Sequence, residues 1–216
     1  MRKINIITLL GVFTLLLVSC GSTSTLKSSW VKEKYTFAND KAEKVFLVAI
    51  AKDESIRNRV EDEMRNAFYG NVPKVQVSYP FIKYGTDTKE MVELIELGNF
   101  THIVTMRIAD VKKDINYTLG TYYTGGYGYY PSYYGYYGTY FGRVWPSSYY
   151  APASYEESVE YTIETNVYST KEKALVYSAM TSSFKGSGLN ETISATLQTV
   201  AKDLQNKGLV ATPNKK

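Results

Sequence analysis

The chain has 216 residues, a formal net charge of +4 at pH 7 and 44% hydrophobic residues. This length fits one ordinary domain with a tether and an insertion, and leaves little room for a second full domain. Basic and acidic residues are spread along the sequence, apart from a short Lys215-Lys216 tail. The charge pattern therefore lacks the basic patch of a nucleic-acid-binding protein, and no nucleic-acid partner is expected.

The amino-terminal segment has the three parts of a secretory signal. Met1-Arg2-Lys3 is basic, residues 4–18 are an apolar run, and the small Ser19 precedes Cys20. The run is shorter than the ~20 residues that a membrane-spanning helix needs. Leu17-Val18-Ser19-Cys20 resembles a bacterial lipobox, which implies cleavage before Cys20 and acylation of that cysteine. We therefore predict a signal peptide at residues 1–19 and a processed chain of net charge +2.

Cys20 is the only cysteine of the chain, so an intramolecular disulfide is excluded. Acylation explains a single cysteine at this position better than an incidental thiol does, and several acyl chains would hold the protein on a membrane. Gly21-Ser22 places no acidic residue beside Cys20, which resembles a signal for the outer membrane. The predicted location is the outer membrane, facing the periplasm, with the cell surface as the alternative. Residues 20–43 are predicted to be the lipidated cysteine and a flexible tether, because residues 21–25 are small and polar.

Changes of hydrophobic period predict a single domain over residues 44–212. Val45 to Ala51 is a continuous apolar run, as in a strand covered on both faces. Residues 53–69 have apolar side chains at helical spacing, with Asp53 or Ser55 as the predicted cap. The charged residues between them are interpreted as a solvated face: Arg57, Arg59, Glu61, Asp62, Glu63 and Arg65. Residues 74–79 alternate as a second strand does.

The second half of the domain starts with a capping-box spacing at Asp87-Thr88-Lys89-Glu90, which predicts a helix to Gly98. Residues 159–167 alternate, so we expect a strand with one buried face and one wet face that carries Glu160, Thr162, Glu164 and Asn166. The other predicted elements are a strand at 101–111, a turn at 171–173, a strand at 174–184 and a helix that starts at Asn190 or Thr192. The order β-α-β-α-β-β-β-α predicts a mixed α/β fold with one mixed five-stranded sheet and three helices.

Four short segments suggest a family: Ser28-Ser29-Trp30, residues 45–53, residues 101–105 and residues 175–179. With them the chain resembles uncharacterised bacterial lipoproteins of a domain-of-unknown-function family over about residues 28–210. The order of elements is also similar to the amino-terminal domain of TolB and to the lipoprotein activators of penicillin-binding proteins. These resemblances imply a noncatalytic periplasmic module, but likeness of fold does not transfer partners.

A Tyr/Gly-rich insertion at residues 117–150 separates the third and fourth predicted strands. It contains thirteen tyrosines interrupted by seven glycines. Connections this long are usually functional or disordered, so a contact surface and a low-complexity loop without a ligand are both open. Tyrosine suits a contact surface because its ring and hydroxyl stack on sugars or adapt to proteins at low entropic cost. The candidate contact residues are Tyr129, Tyr130, Tyr133, Tyr134, Tyr136, Tyr137 and Trp145.

No catalytic constellation is visible, and no catalytic residue, metal ligand or cofactor is predicted. His102 is the only histidine, and its position at the start of an apolar strand favours a structural role. Glu160 and Glu164 share a strand face but lie ~13 Å apart at ~3.3 Å per residue, beyond the ~5 to 9.5 Å of a glycosidase pair. Asp110 and Asp114 lack an obvious third metal ligand.

Two functions are compatible with these observations. The preferred one is a noncatalytic lipid-anchored envelope protein that acts as a binding or adaptor module for an envelope protein or glycan. The alternative is a hydrolase of envelope polysaccharide, in which the insertion is a substrate platform and carboxylates come from different strands. The sequence leaves the oligomeric state open.

Overall fold

A computed structural model describes residues 24–37, 41–68, 72–83, 85–113, 137, 141, 159–184 and 188–209. The predicted signal peptide, Cys20 and most of the Tyr/Gly-rich insertion lie outside these residues. The described strands are β1 (Ser24–Val31), β2 (Lys44–Ile50), β3 (Lys74–Val77), β4 (His102–Lys113), β5 (Val159–Ser169) and β6 (Ala174–Phe184). The described helices are α1 (Glu54–Phe68), α2 (Thr88–Leu97) and α3 (Leu189–Asn206).

The strands form one sheet in the order β1-β6-β5-β4-β2-β3. β2 is parallel to β3 and to β4, whereas β4, β5, β6 and β1 pair antiparallel. The predicted mixed α/β fold with three helices is confirmed for the described residues. The sheet has six strands where the sequence predicts five.

The additional strand is β1, which lies inside the segment predicted to be a tether. It pairs with β6 from Ser24 opposite Ser183 to Val31 opposite Tyr177. Residues 25–28 are all exposed, so buried and exposed side chains do not alternate along the strand. A sequence pattern therefore does not reveal it. Backbone hydrogen bonds to β6 hold this edge strand. The tether prediction is therefore corrected for residues 24–31, which belong to the sheet.

Both faces of the sheet are covered, and the alternation of β2 shows why. Val45, Leu47 and Ala49 pack with α1 and α3 on one side, which we call the helix-pair face. The intervening Phe46, Val48 and Ile50 pack with α2 on the other side. Because Tyr137 and Phe141 also pack there, we call this second side the insertion face. A strand buried on both faces reads as a continuous apolar run, as predicted.

Side-chain caps start α1 and α2 where the sequence predicts them. Asp53 Oδ1 accepts a hydrogen bond of 2.9 Å from the Ile56 amide, and Asp87 Oδ1 accepts one of 2.8 Å from the Lys89 amide. α3 differs, because it begins at Leu189 after Gly188, whose φ is 127°. No side-chain cap is present there, so the start predicted at Asn190 or Thr192 is slightly late.

Candidate functional site

The insertion leaves and rejoins the sheet at one place. Lys113, the last residue of β4, pairs with Val159, the first residue of β5. Both ends of the segment between them are therefore attached to neighbouring positions at one end of the sheet. Of the predicted insertion, Tyr137 and Phe141 are the residues that the structure describes.

Tyr137 and Phe141 belong to the hydrophobic core on the insertion face. Their exposed fractions are 2% and 0%. The Tyr137 ring lies 6.4 Å from the ring of Tyr168 on β5, at an interplanar angle of 78°, and 6.4 Å from the Phe141 ring. Near-perpendicular aromatic pairs at such distances are favourable beyond the area that they bury. Tyr137 was predicted to contact a partner, and this burial gives it a packing role instead.

The other predicted contact residues lie outside the described part of the chain: Tyr129, Tyr130, Tyr133, Tyr134, Tyr136 and Trp145. Cys20 also lies outside it. Tyr137 and Phe141 are thus the described insertion residues that pack on the core. Composition alone does not distinguish these two residues, since the neighbouring tyrosines lie in the same Tyr/Gly-rich sequence.

The two regions of contact between the insertion and the fold are far apart. Tyr168 lies nine residues beyond Val159 on β5, which corresponds to ~30 Å of strand. The insertion is therefore attached at one end of the sheet and packed, through Tyr137, about one strand length away.

Between these two places the insertion face carries a buried polar strip, which consists of Thr105, Arg107, Glu164 and Asn166. The register pairs Arg107 with Glu164 and Thr105 with Asn166. Arg107 Nη2 lies 2.5 Å from Glu164 Oε2, and Asn166 Nδ2 donates a hydrogen bond of 2.7 Å to Glu164 Oε1. Both Glu164 oxygens thus contact a donor group of the domain.

The strip overturns the prediction of a wet face on β5. Glu164 is 2% exposed and Asn166 is 0% exposed. Because the second face of the sheet is also covered, alternation of apolar and polar residues does not separate core from solvent here. A buried carboxylate is tolerated when a cation and further hydrogen bonds compensate its lost hydration. Glu164 has both.

Glu160 also contacts side chains of the domain. Its Oε1 accepts a hydrogen bond from Ser182 Oγ and lies 3.5 Å from Lys27 Nζ on β1. Its side chain is 19% exposed. Glu160 and Glu164 therefore link β5 to the strands on either side, which is a structural use of the two carboxylates considered for the hydrolase.

A second buried polar group lies on the helix-pair face, where Glu61 of α1 reaches the carboxyl ends of β2 and β3. Its Oε1 accepts from the Ala49 amide at 3.0 Å and from Ser78 Oγ at 2.5 Å. Its Oε2 accepts from the amides of Ser78 at 2.6 Å and Tyr79 at 3.0 Å. Burial raises the pKa of Glu61, while these hydrogen bonds oppose the increase. Ligands often bind at this edge of α/β sheets, but here a carboxylate of the chain occupies the strand ends.

Arg57 lies one helical turn before Glu61 and is 1% exposed. Its Nε and Nη1 have no hydrogen-bond partner, and Arg57 forms no ion pair with the described residues. Arg57 and Glu61 were both predicted to be solvated, so the structure corrects that interpretation. Their spacing is the sequence feature that indicates burial, because positions 57, 60, 61 and 64 form one stripe of the helix. The stripe is obscured by its two charged members.

His102 has the structural role that its sequence position predicts. It is 1% exposed, and its Nε2 lies 2.7 Å from Tyr35 Oη. The Phe37 ring packs against the imidazole at 5.3 Å. A similar buried pair joins β6 to α3, where Tyr177 Oη donates to Asp203 Oδ2 at 3.0 Å. Burial, with the Asp203 charge as a smaller cause, raises the pKa of Tyr177.

Three further observations concern the described residues alone. No three His, Cys, Asp or Glu side chains among them come together as a metal site would require. No described helix combines the length and the apolar character that crossing a membrane would demand. A small cavity of about 30 Å³ lies beside β1, lined by Ser28, Ser29, Trp30, Ser178 and Met180. Its volume suits one or two water molecules.

Comparison with known proteins identifies no family. No protein family and no curated protein matches the chain. Among solved structures the chain is similar to PelC from Paraburkholderia phytofirmans, described as a dodecamer in two crystal forms. Sequence identity is 13% for a PelC with a point substitution and 10% for PelC in the other crystal form. Each comparison covers 82% of this chain and 96% of PelC, with a TM-score of 0.41. At this level of similarity PelC supports no argument about the present protein.

Proposed function

We propose that the protein is a noncatalytic, lipid-anchored envelope protein that binds another envelope component, a protein or a glycan, through its Tyr/Gly-rich insertion. The observation that carries the proposal is the double attachment of the insertion. The segment that contains it, residues 114–158, joins the paired residues Lys113 and Val159 of β4 and β5, and Tyr137 and Phe141 are buried in the domain core. Such attachment favours a contact surface over a loop without a ligand. A segment that is already held on the domain loses less conformational entropy when it binds a partner.

The buried titratable groups favour a binding role over a catalytic one. Glu61 holds strand ends, Glu164 pairs with Arg107, and His102 lies against Tyr35. A general acid or base needs a proton to exchange with a substrate, so its polar atoms must face a place where a substrate can lie. Each of these three groups instead faces another residue of the domain.

The lipid anchor in this proposal rests on the sequence of residues 1–20. A secretory signal that ends in Ser19-Cys20 supports cleavage and acylation at Cys20. The fold is compatible with such an anchor, because its first described strand begins at Ser24, four residues after Cys20.

Crosslinking in intact envelopes tests the binding function with the full-length protein. Bound material is recovered with the protein and identified by mass spectrometry. The test variant replaces five candidate tyrosines by serine: Tyr129, Tyr130, Tyr133, Tyr134 and Tyr136. The control variant replaces five other tyrosines of the same insertion: Tyr122, Tyr123, Tyr127, Tyr149 and Tyr150. Both variants retain Tyr137 and Phe141, so the core contacts are kept.

We expect the first variant to lose most of its crosslinks and the control to keep most of them, since a few aromatic anchors commonly dominate an interface. Thermal melting should be the same for both variants. Undiminished crosslinking in the first variant would reject the insertion surface. Release of soluble sugar from purified envelope glycan by the unaltered protein would show hydrolysis and contradict a noncatalytic role.

A further inference from the structure

Four chain positions define one end of the sheet, which we call the anchor end: Ser24, Lys113, Val159 and Phe184. Ser24 pairs with Ser183, and Phe184 pairs with Glu160. Lys113 pairs with Val159. The start of β1, the end of β6 and both attachment points of the insertion are therefore side by side.

The anchor end is close to Cys20 along the chain. Ser24 is the fourth residue after Cys20, and a fully extended chain spans at most ~3.6 Å per residue. Ser24 therefore lies within ~14 Å of the Cys20 backbone. Its own position in the domain is fixed, because it pairs with β6 and its carbonyl accepts a hydrogen bond of 3.1 Å from Thr199 Oγ1 on α3. A lipid on Cys20 would thus hold this end of the domain at the membrane.

The surface near Ser24 has the chemistry of a membrane contact. Leu26 is 38% exposed and is one of three exposed large apolar residues of the described domain, with Phe81 and Leu97, and the one nearest Cys20 along the chain. The Lys27 side chain beside it is 55% exposed, although its Nζ also lies 3.5 Å from Glu160 Oε1. An apolar side chain enters the headgroup region, and a lysine is attracted to lipid phosphates there. Beyond the opposite end of β1, the exposed side chains of Glu33 and Lys34 carry charges of both signs and form an ion pair, and Lys32 is paired with Glu172.

We propose that the anchor end is the membrane-facing surface of the domain, with Leu26 and Lys27 against the lipid headgroups. This inference rests on the proposed lipidation of Cys20. It assigns an orientation that the anchor alone does not require, because a long tether would let the domain face any direction. It also places both attachment points of the insertion at the membrane.

A pair of labelled variants tests the orientation. Cys20 is the only cysteine and its sulfur carries the lipid in the processed protein, so an introduced cysteine is the one reactive thiol. Leu26→Cys places a fluorophore at the proposed contact. Glu33→Cys is the matched control, since it lies beyond the other end of β1, whose last residue Val31 is ~17 Å from Leu26 in an extended strand. Thr25→Cys is a second test position if Leu26→Cys lowers the melting temperature.

The full-length processed variants are placed in vesicles of phosphatidylethanolamine and phosphatidylglycerol with nitroxide groups on the lipid headgroups. Fatty-acid incorporation at Cys20 and flotation with the vesicles are measured on the same samples. We expect fluorescence quenching by the nitroxide lipids to be several-fold stronger at position 26 than at position 33.

The outcomes separate the orientation from the function on which it rests. Absence of fatty acid at Cys20 overturns the anchor and the orientation together. Incorporation of fatty acid with equal quenching at both positions, or with stronger quenching at position 33, overturns the orientation alone. A label at position 26 that is shielded from both lipid nitroxide and aqueous iodide would indicate a protein contact and would also overturn the membrane proposal.

Discussion

Replacement of Glu61 by glutamine should destabilise the domain more at acidic pH than at neutral pH. Glutamine keeps the size of the side chain but replaces one acceptor oxygen by a donor. Each Glu61 oxygen accepts two hydrogen bonds, so the new amide group would face two donors at whichever position it takes. A buried donor without an acceptor costs about 1 to 3 kcal/mol, and Ser78 Oγ can rotate to accept instead. We therefore expect a loss of about 2 to 4 kcal/mol in the free energy of unfolding.

The pH dependence follows from the raised pKa of Glu61, whose ordinary value is 4.5. Above pH 4.5 the unfolded chain releases the proton while the folded chain still retains it, so the folded state binds more protons. The stabilisation from this proton is fully present below pH 4.5 and is lost as the pH rises through the folded pKa. The glutamine variant lacks the titration, so its deficit relative to the unaltered protein should be largest at the acidic end.

Urea unfolding from pH 4 to pH 8, followed by circular dichroism, measures this difference. Glu96→Gln is the control, because Glu96 is an exposed glutamate of α2 and its replacement removes one charge without removing a buried acceptor. Its free energy of unfolding should stay within about 0.5 kcal/mol of the unaltered protein. A deficit for Glu61→Gln that stays constant with pH, or grows toward pH 8, would refute the assignment of a raised pKa to this group.

Four further predictions concern single side chains. Leu47→Ala and Leu197→Ala should each lower the free energy of unfolding by about 2 to 5 kcal/mol. The loss should be larger for Leu47, which is 0% exposed, than for Leu197, which is 8% exposed; unchanged urea midpoints would contradict their burial. Tyr137→Ala should cost about 3 to 5 kcal/mol in the same assay, and a loss below 1 kcal/mol would show that the insertion is not seated on the core. Arg57→Met should raise the free energy of unfolding by about 1 to 3 kcal/mol, since it removes a buried cation that forms no ion pair with the described residues; a decrease would mean that Arg57 has a partner in solution. Cys20→Ala should abolish incorporation of a fatty-acid analogue, and labelling equal to that of the unaltered protein would reject the lipoprotein assignment.

Local patterns in the sequence were sufficient for the framework of the fold. The apolar run in β2, the helical spacing in α1 and the caps at Asp53 and Asp87 all appear in the structure as predicted. Each depends on residues that are close in the chain. The lipid anchor and the contact role of the other candidate tyrosines rest on the sequence alone, and they stay predictions.

Tertiary structure alone decided which polar residues are buried. In the sequence both Glu61 and Glu164 have the pattern of surface glutamates. In the structure Glu61 accepts hydrogen bonds from Ser78 and Tyr79 after β3, and the sheet register places Arg107 opposite Glu164. The compensating partners come from other parts of the chain, so no local pattern distinguishes a buried carboxylate from a solvated one.

The edge strand and the insertion depended on tertiary structure in the same way. β1 is held by backbone hydrogen bonds to β6, more than 140 residues away, and these bonds leave no mark on its side-chain pattern. Tyr137 lies in the same Tyr/Gly-rich sequence as the tyrosines around it. Its packing against Tyr168 determines that it belongs to the core. The sequence thus determined the periodic elements, because periodicity is local. The pairing of distant segments determined which side chains the core contains, because burial depends on what lies opposite.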